Sequence, residues 1–230
     1  MKWDVSKDHM HLPYNRDDDM KVEGSDLVNV TGYLDISNRK LDRSVAGFDV
    51  SRKLVLLGVW DMPFLRSSKS LTAKLAGGWQ LSGTGMFQSG NPMTVNSSAP
   101  WPRGDFNADG VAGDRPNAPA AGVKQSGWAR SGFQSGIFSV TDFPLPAPGV
   151  NGNLGRNRFR GPGYAQVDLS LSKKFPITER VAAQLRLDAF NALNRVNLNN
   201  PVLDLVNNNF GKSTSALTPK SYQLGLRILF

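Results

Sequence analysis

The C-terminal stretch Lys220–Phe230 limits the possible folds more than any other part of the chain. Read with a period of two, Tyr222, Leu224, Leu226, Ile228 and Phe230 point one way and Gln223, Gly225 and Arg227 the other, with Leu229 alone breaking the polar set. The pattern specifies a strand with one apolar face. Its eleven residues are about the length of a tilted strand that crosses a bilayer, roughly 9–11 residues. A terminal strand with five large apolar groups on one face needs either a full core above it or lipid beside it.

The same alternation recurs upstream. Tyr164–Phe175 places Val167, Leu169 and Leu171 on one side and Asp168, Ser170 and Ser172 on the other. Pro176–Glu179 reads as a tight turn, and Arg180–Leu193 returns with Val181, Ala183, Leu185, Leu187 and Ala189 opposite Gln184, Arg186 and Asp188. Leu71–Gln88 sets Leu71, Ala73, Leu75, Trp79, Leu81 and Phe87 outward and Lys74, Gln80, Ser82, Thr84 and Gln88 inward. Gly83-Thr84-Gly85 inside that run is followed by no helix and no Lys-Ser/Thr, so it is not a phosphate loop; glycines in a strand mark curvature or close approach. Phe48–Phe64 is apolar on one parity (Val50, Leu54, Leu56, Trp60, Met62) and, in its middle, on the other (Val55, Leu57, Val59). That predicts burial against something inside as well as lipid outside. Asp26–Ile36 is a weaker strand without clean alternation.

The connections are asymmetric. Short turns are expected at 63–70 and 176–179, whereas Ser89–Gly163 and Asn194–Pro219 are long, rich in Gly, Pro, Asn and Ser, and almost without periodicity. Short turns on one side and long loops on the other are the asymmetry of outer-membrane barrels. The expected fold is therefore all-β, an antiparallel up-and-down transmembrane barrel segment of about six strands, part of a larger barrel. Residues 1–47 form a polar loop and first strand, and 48–230 the C-terminal part of the barrel.

Composition removes other classes. Hydrophobic residues make up 40% and mean hydropathy is −0.32, but a barrel hides its apolar face by alternation and scores low on such averages. No run of apolar residues is long enough for a transmembrane helix. With no cysteine there is neither a disulfide framework nor a thiolate site. The start of the chain carries charges where a signal peptide needs an apolar stretch, so the expectation is a C-terminal piece of a longer protein. The net charge of +8 is spread over turns (Arg66, Lys69, Lys174, Arg180), inward strand positions (Arg186, Arg227) and loops, with only Arg156, Arg158 and Arg160 dense. This is not a nucleic-acid stripe, and no nucleic-acid partner is expected.

Little supports catalysis, and the chain reads as a non-enzyme. His9 and His11 sit in a polar segment without a third ligand, and neither a Gly-x-Ser-x-Gly elbow nor a zinc pattern is present. The one constellation with ligand-like spacing is Asp105, Asn107 and Asp109 followed by Gly110, with Asp114 as a further carboxylate. Oxygen donors at positions 1, 3 and 5 and glycine at 6 suit a loop around a hard cation, so calcium is the only cofactor to consider, although position 12 is Pro116 rather than Glu. The opposing reading is an Asp/Asn/Gly turn cluster. Tyr164, Phe175, Tyr222 and Phe230 lie at strand ends, where rings prefer the membrane interface.

Leu224-Gly225-Leu226-Arg227-Ile228-Leu229-Phe230, with Tyr222 before it, resembles the C-terminal signal by which outer-membrane barrels are handed to the barrel assembly machinery; Leu224 stands where that signal usually has a polar residue. The runs 164–175 (YAQVDLSLSKKF), 185–194 (LRLDAFNALN), 75–83 (LAGGWQLSG), 87–95 (FQSGNPMTV) and 105–117 (DFNADGVAGDRPN) are similar to TonB-dependent receptors of the branch with a carboxypeptidase-regulatory-like N-terminal domain. The resemblance spans about Phe48 to Phe230. It implies location in the outer membrane and import of a nutrient through a plugged barrel of 22 strands. It also implies four partners: outer-membrane lipid, the barrel assembly machinery, the plug with the remaining strands, and the TonB energy-coupling complex. Asp168, Gln184, Arg186, Asp188 and Arg227 would then face the lumen. Two other readings stay open: a stand-alone small barrel or adhesin, and a soluble calcium-dependent β-sandwich binding module.

Overall fold

The computed structural model describes residues 34–35, 37–64, 76–119 and 121–230, together with the backbone of 2–6 and 16–17. The expected strand at Asp26–Ile36, the pair His9 and His11, and the segment 65–75 lie essentially outside the described residues. The strands are β1 (Lys2–Ser6), β2 (Arg16–Asp17), β3 (Ser44–Val45), β4 (Lys53–Asp61), β5 (Trp79–Gln88), β6 (Pro92–Met93), β7 (Phe159–Arg160), β8 (Tyr164–Pro176), β9 (Ala182–Phe190) and β10 (Ser221–Leu229). Six of them form one sheet in the order β1-β4-β5-β8-β9-β10, every neighbour antiparallel. β4–β5, β8–β9 and β9–β10 pair consecutive strands, while β1–β4 and β5–β8 pair across longer connections that hold the short ladders, so the large sheet runs up and down and the all-β antiparallel expectation holds. Two-stranded ladders β2–β3 and β6–β7 decorate the loop end.

The sheet sorts its side chains by the pleat. Trp60, Leu81, Leu171, Leu187 and Leu224 stand directly opposite one another across five strands, giving one continuous apolar row, since facing residues share a face. Rows on either side add Leu169, Ala189 and Tyr222, and Leu185 and Leu226. Gly83 belongs to this face for a steric reason: a Cβ there would stand 2.9 Å from Leu169 Cδ2 and 3.4 Å from the Asp168 carbonyl. The close approach expected of the strand glycines is thus present at this one.

Two assignments change. Tyr164 does not belong with the outward rings: it pairs with Gln88 on the polar face and its hydroxyl donates to Gln166. Lys174 is not in a turn. β8 runs on through Pro176, so Lys174 is a strand residue opposite Gln184. The strands expected at 48–64 and 180–193 are also shorter at both ends, because Pro63 and the Asn-rich stretch after Phe190 leave the ladder.

The protein's core lies above the sheet, in the long loops. Met93, Val95, Phe133, Phe138, Phe143, Leu154, Phe159, Leu205 and Phe210 are all buried in one cluster. Phe138 packs against Phe159 at 4.8 Å and Phe143 at 5.2 Å in edge-to-face geometry, and stacks on Phe210 at 6.1 Å. Main-chain bonds stitch the two loops together: Asn96 N–H donates to the Leu203 carbonyl at 3.1 Å and Leu205 N–H to the Asn96 carbonyl at 2.9 Å. The segment before β4 is clamped on by buried Arg115. Its Nη1 meets Asp42 Oδ1 at 2.5 Å, while its other donors reach the carbonyls of Leu154 and Leu41. What composition presented as structureless loop is a folded cap.

Candidate functional site

The sheet's polar face carries the residues with chemistry. Its rows, from loop end to turn end, are Lys53–Gln88–Tyr164, Val55–Met86–Gln166, Leu57–Thr84–Asp168, Val59–Ser82–Ser170–Asp188–Gln223, Asp61–Gln80–Ser172–Arg186–Gly225 and Lys174–Gln184–Arg227. Asp168, Gln184, Arg186, Asp188 and Arg227, singled out from alternation, therefore share one face, with Gln184, Arg186, Asp188 and Arg227 in adjacent positions on β9 and β10. A cavity of about 340 Å³ opens on the middle of this face, bordered by Leu57, Val59, Ser82, Thr84, Asp168 and Asp188.

The carboxylates of this face are held locally. Asp168 accepts from Gln166 Nε2 at 2.9 Å and from the Asn191 N–H at 2.8 Å. Asp188 accepts from Arg186 Nε at 2.8 Å. Charge-assisted bonds of this kind fix side-chain direction. The face can therefore present oriented carboxylates, hydroxyls and a guanidinium to whatever lies against it. It also carries an apolar strip: Leu57 and Val59 are 52% and 51% exposed, with Val55 and Met86 in the row above.

The apolar face carries one cation, Lys173, among the described sheet residues of β4, β5, β8, β9 and β10. It is 4% exposed, its ammonium donates to the Gly77 carbonyl, and it lies 5.6 Å from the Trp79 ring centre and 5.0 Å from that of Phe175. Two ring faces and a carbonyl give the charge a favourable place on an otherwise apolar surface. Phe175 thus has a role beyond its position at a strand end, one that alternation does not reveal.

The terminal stretch is the sheet's edge strand among the described residues. Tyr222, Leu224, Leu226 and Ile228 stand exposed on the apolar face, Phe230 follows the last ladder position, and Gly225 faces Arg186 on the polar side.

In the cap, the 105–114 loop is closed by its own backbone. Asp105 accepts from the N–H groups of Asp109 and Gly110, both at 3.0 Å, and Asp109 Oδ1 accepts from Val111 N–H. Asp114 Oδ2 accepts from Phe106 N–H at 2.7 Å and Asn107 N–H at 3.3 Å. Asn107 reaches across to the Leu34 carbonyl and to Asn151. Burial, with the charges of Asp109 and Asp105 adding to it, raises the Asp114 carboxyl above its ordinary value against the lowering effect of those N–H bonds. Among the described residues no group of three or more His, Cys, Asp or Glu is arranged to hold a metal ion.

Sequence reading missed the asparagines that end the strands. Asn197 exchanges two bonds with the backbone of Ala165, N–H to Oδ1 at 3.0 Å and Nδ2 to carbonyl at 2.9 Å, in place of a missing strand partner. Asn191, at φ +47°, accepts from Arg195 N–H and donates to its carbonyl. Their signal was the Asn-rich composition itself, because Asn tolerates the left-handed region and hydrogen-bonds like a peptide.

No curated protein and no solved structure gives a match. A family model described as outer membrane beta barrel domain matches residues 15–229, nearly the whole chain, and the meander with one apolar and one polar face is what such a domain requires. The chain belongs to the outer membrane β-barrel domain family, and its place is the cell outer membrane.

Proposed function

We propose that the chain is the C-terminal part of the barrel of a TonB-dependent receptor, which imports a nutrient through a barrel closed by a plug. The observation that carries this reading is the strip Val55, Leu57, Val59 and Met86 on the polar face. In an outer-membrane barrel that face is turned to the lumen, and apolar groups there call for a covering of protein rather than a column of water. The motifs at 75–83, 87–95, 105–117, 164–175 and 185–194 support the same branch. On this reading the cap forms part of the external mouth, the turn at 177–181 is periplasmic, and Asp168, Gln184, Arg186, Asp188 and Arg227 line the lumen. The terminal strand engages the assembly machinery. The chain has no catalytic role.

The test is uptake by cells. Deleting the gene is expected to abolish growth on one member of a panel of scarce nutrients, and removal of the energy-coupling complex should abolish the same growth while the receptor stays in the membrane. Uptake that survives loss of the coupling complex would point to a passive pore and overturn the reading.

A further inference from the structure

The turn end of the polar face concentrates positive charge. Lys174, Gln184 and Arg227 follow one another directly across β8, β9 and β10, and Arg186 stands one row up beside Gly225. Neighbouring strands bring facing side chains to about 5 Å, so Lys174 and Arg227 lie roughly 10 Å apart with Arg186 diagonal to both. Like charges gathered on one face oppose folding unless an opposite charge meets them. The carboxylate bonded into this corner is Asp188, which accepts from Arg186 Nε and from the Ser170 side chain. The Arg186 side chain is 58% exposed, and a carboxylate accepts a guanidinium fork in two parallel bonds. Gly225 leaves the floor bare: a Cβ there would find its nearest neighbour, the Arg186 carbonyl, only at 4.0 Å. The result is a cationic notch on the face that also exposes Leu57 and Val59.

We propose that this notch, formed by Lys174, Arg186, Gly225 and Arg227, docks a carboxylate-bearing segment of the plug, an inference that rests on the plugged-barrel reading above. Charge complementarity selects an acidic segment. The apolar strip on the same face selects protein over hydrated ions, and the inward direction of the face selects a lumenal occupant over lipid. The occupant carries apolar residues towards β4 and at least two carboxylates towards β8–β10. Docking there ties the plug to the last three strands of the barrel.

The experiment uses the full-length protein in its own membrane, with a photo-crosslinking residue in place of Gln184 at the centre of the notch and, separately, in place of Leu57. Cross-linked peptides are mapped by mass spectrometry. The expected product from position 184 is a peptide of the same chain rich in Asp or Glu. Its yield should be lost in Lys174→Glu/Arg227→Glu and regained when the captured carboxylates are changed to lysine. Capture at 184 of a same-chain peptide without carboxylates would overturn the acidic docking and leave the plugged barrel standing. Capture of lipid only, a second copy or nothing at 184, while 57 still captures the same chain, would do likewise. Failure of both positions to capture the same chain would overturn the plugged barrel as well.

Discussion

The sheet and the cap solve the same problem in opposite ways. In the sheet, large apolar side chains such as Leu187, Leu224 and Leu226 stand exposed on one face, and their stabilisation comes from the lipid around them. In the cap, Phe138, Phe143 and Phe159 turn inward and make a dry aromatic centre out of chain that is rich in Gly, Pro, Ser and Asn. A barrel strand needs no partner layer because the solvent is apolar. A cap in water must build its own interior, and here it does so with aromatic rings, which bury the most area per residue.

The contrast predicts where each region fails. Phe159→Ala, in a side chain with no exposed surface, is expected to remove about 3–5 kcal/mol from the cap. Limited proteolysis in detergent should then cut the 89–163 segment rapidly while β8–β10 stay protected; equal loss of both would show that cap and sheet unfold as one. Leu187→Arg, in the middle of the apolar row, should cost about 2–4 kcal/mol in lipid and leave the cap's protease resistance unchanged, as measured by denaturant unfolding in vesicles. Asn197→Ala removes both bonds to Ala165 and is expected to cost about 1–3 kcal/mol. It should appear as faster hydrogen exchange at the start of β8, the junction between the regions. The smallest effect is at Asp114. Because its carboxyl titrates above the ordinary value in the folded cap, the protonated form is favoured on folding, and the cap is expected to lose stability as pH rises from below that ordinary value through the raised one. Asp114→Asn keeps an acceptor for the Phe106 N–H and should flatten this dependence, giving a higher cap melting temperature than wild type at neutral pH and no gain in acid.

The two regions also differ in how far their sequence discloses them. β8, β9 and β10 were legible because each strand separates two environments, so residues such as Leu169, Ser170 and Leu171 alternate by necessity. Tyr164 misled because a ring at a strand end suggests an interface, while the parity of the strand put it with Asp168. Lys174 misled because Pro176 looked like the start of a turn, yet Pro at a strand's last position costs the ladder nothing it had to give. The cap was illegible for another reason. Phe133, Phe138, Phe143 and Phe159 follow no period and meet only through closure of the loops, and the buried pair Asp42–Arg115 joins residues far apart in sequence. At 105–114 the cluster was visible but its use was not. Spacing places the oxygens; it does not say that Asp105 and Asp114 turn them on their own backbone.

The shared core of the cap has a mechanical consequence. Phe143 and Phe159 from the first long loop interlock with Leu205 and Phe210 from the second, and Arg115 fastens the stretch before β4 to the same body. Fingers joined at the knuckle do not bend singly. On the receptor reading proposed above, a ligand meeting one of these loops would act on the shared core and so on all of them, and the hairpin β4–β5 and the strands β8 to β10, from which the loops spring, would feel it together.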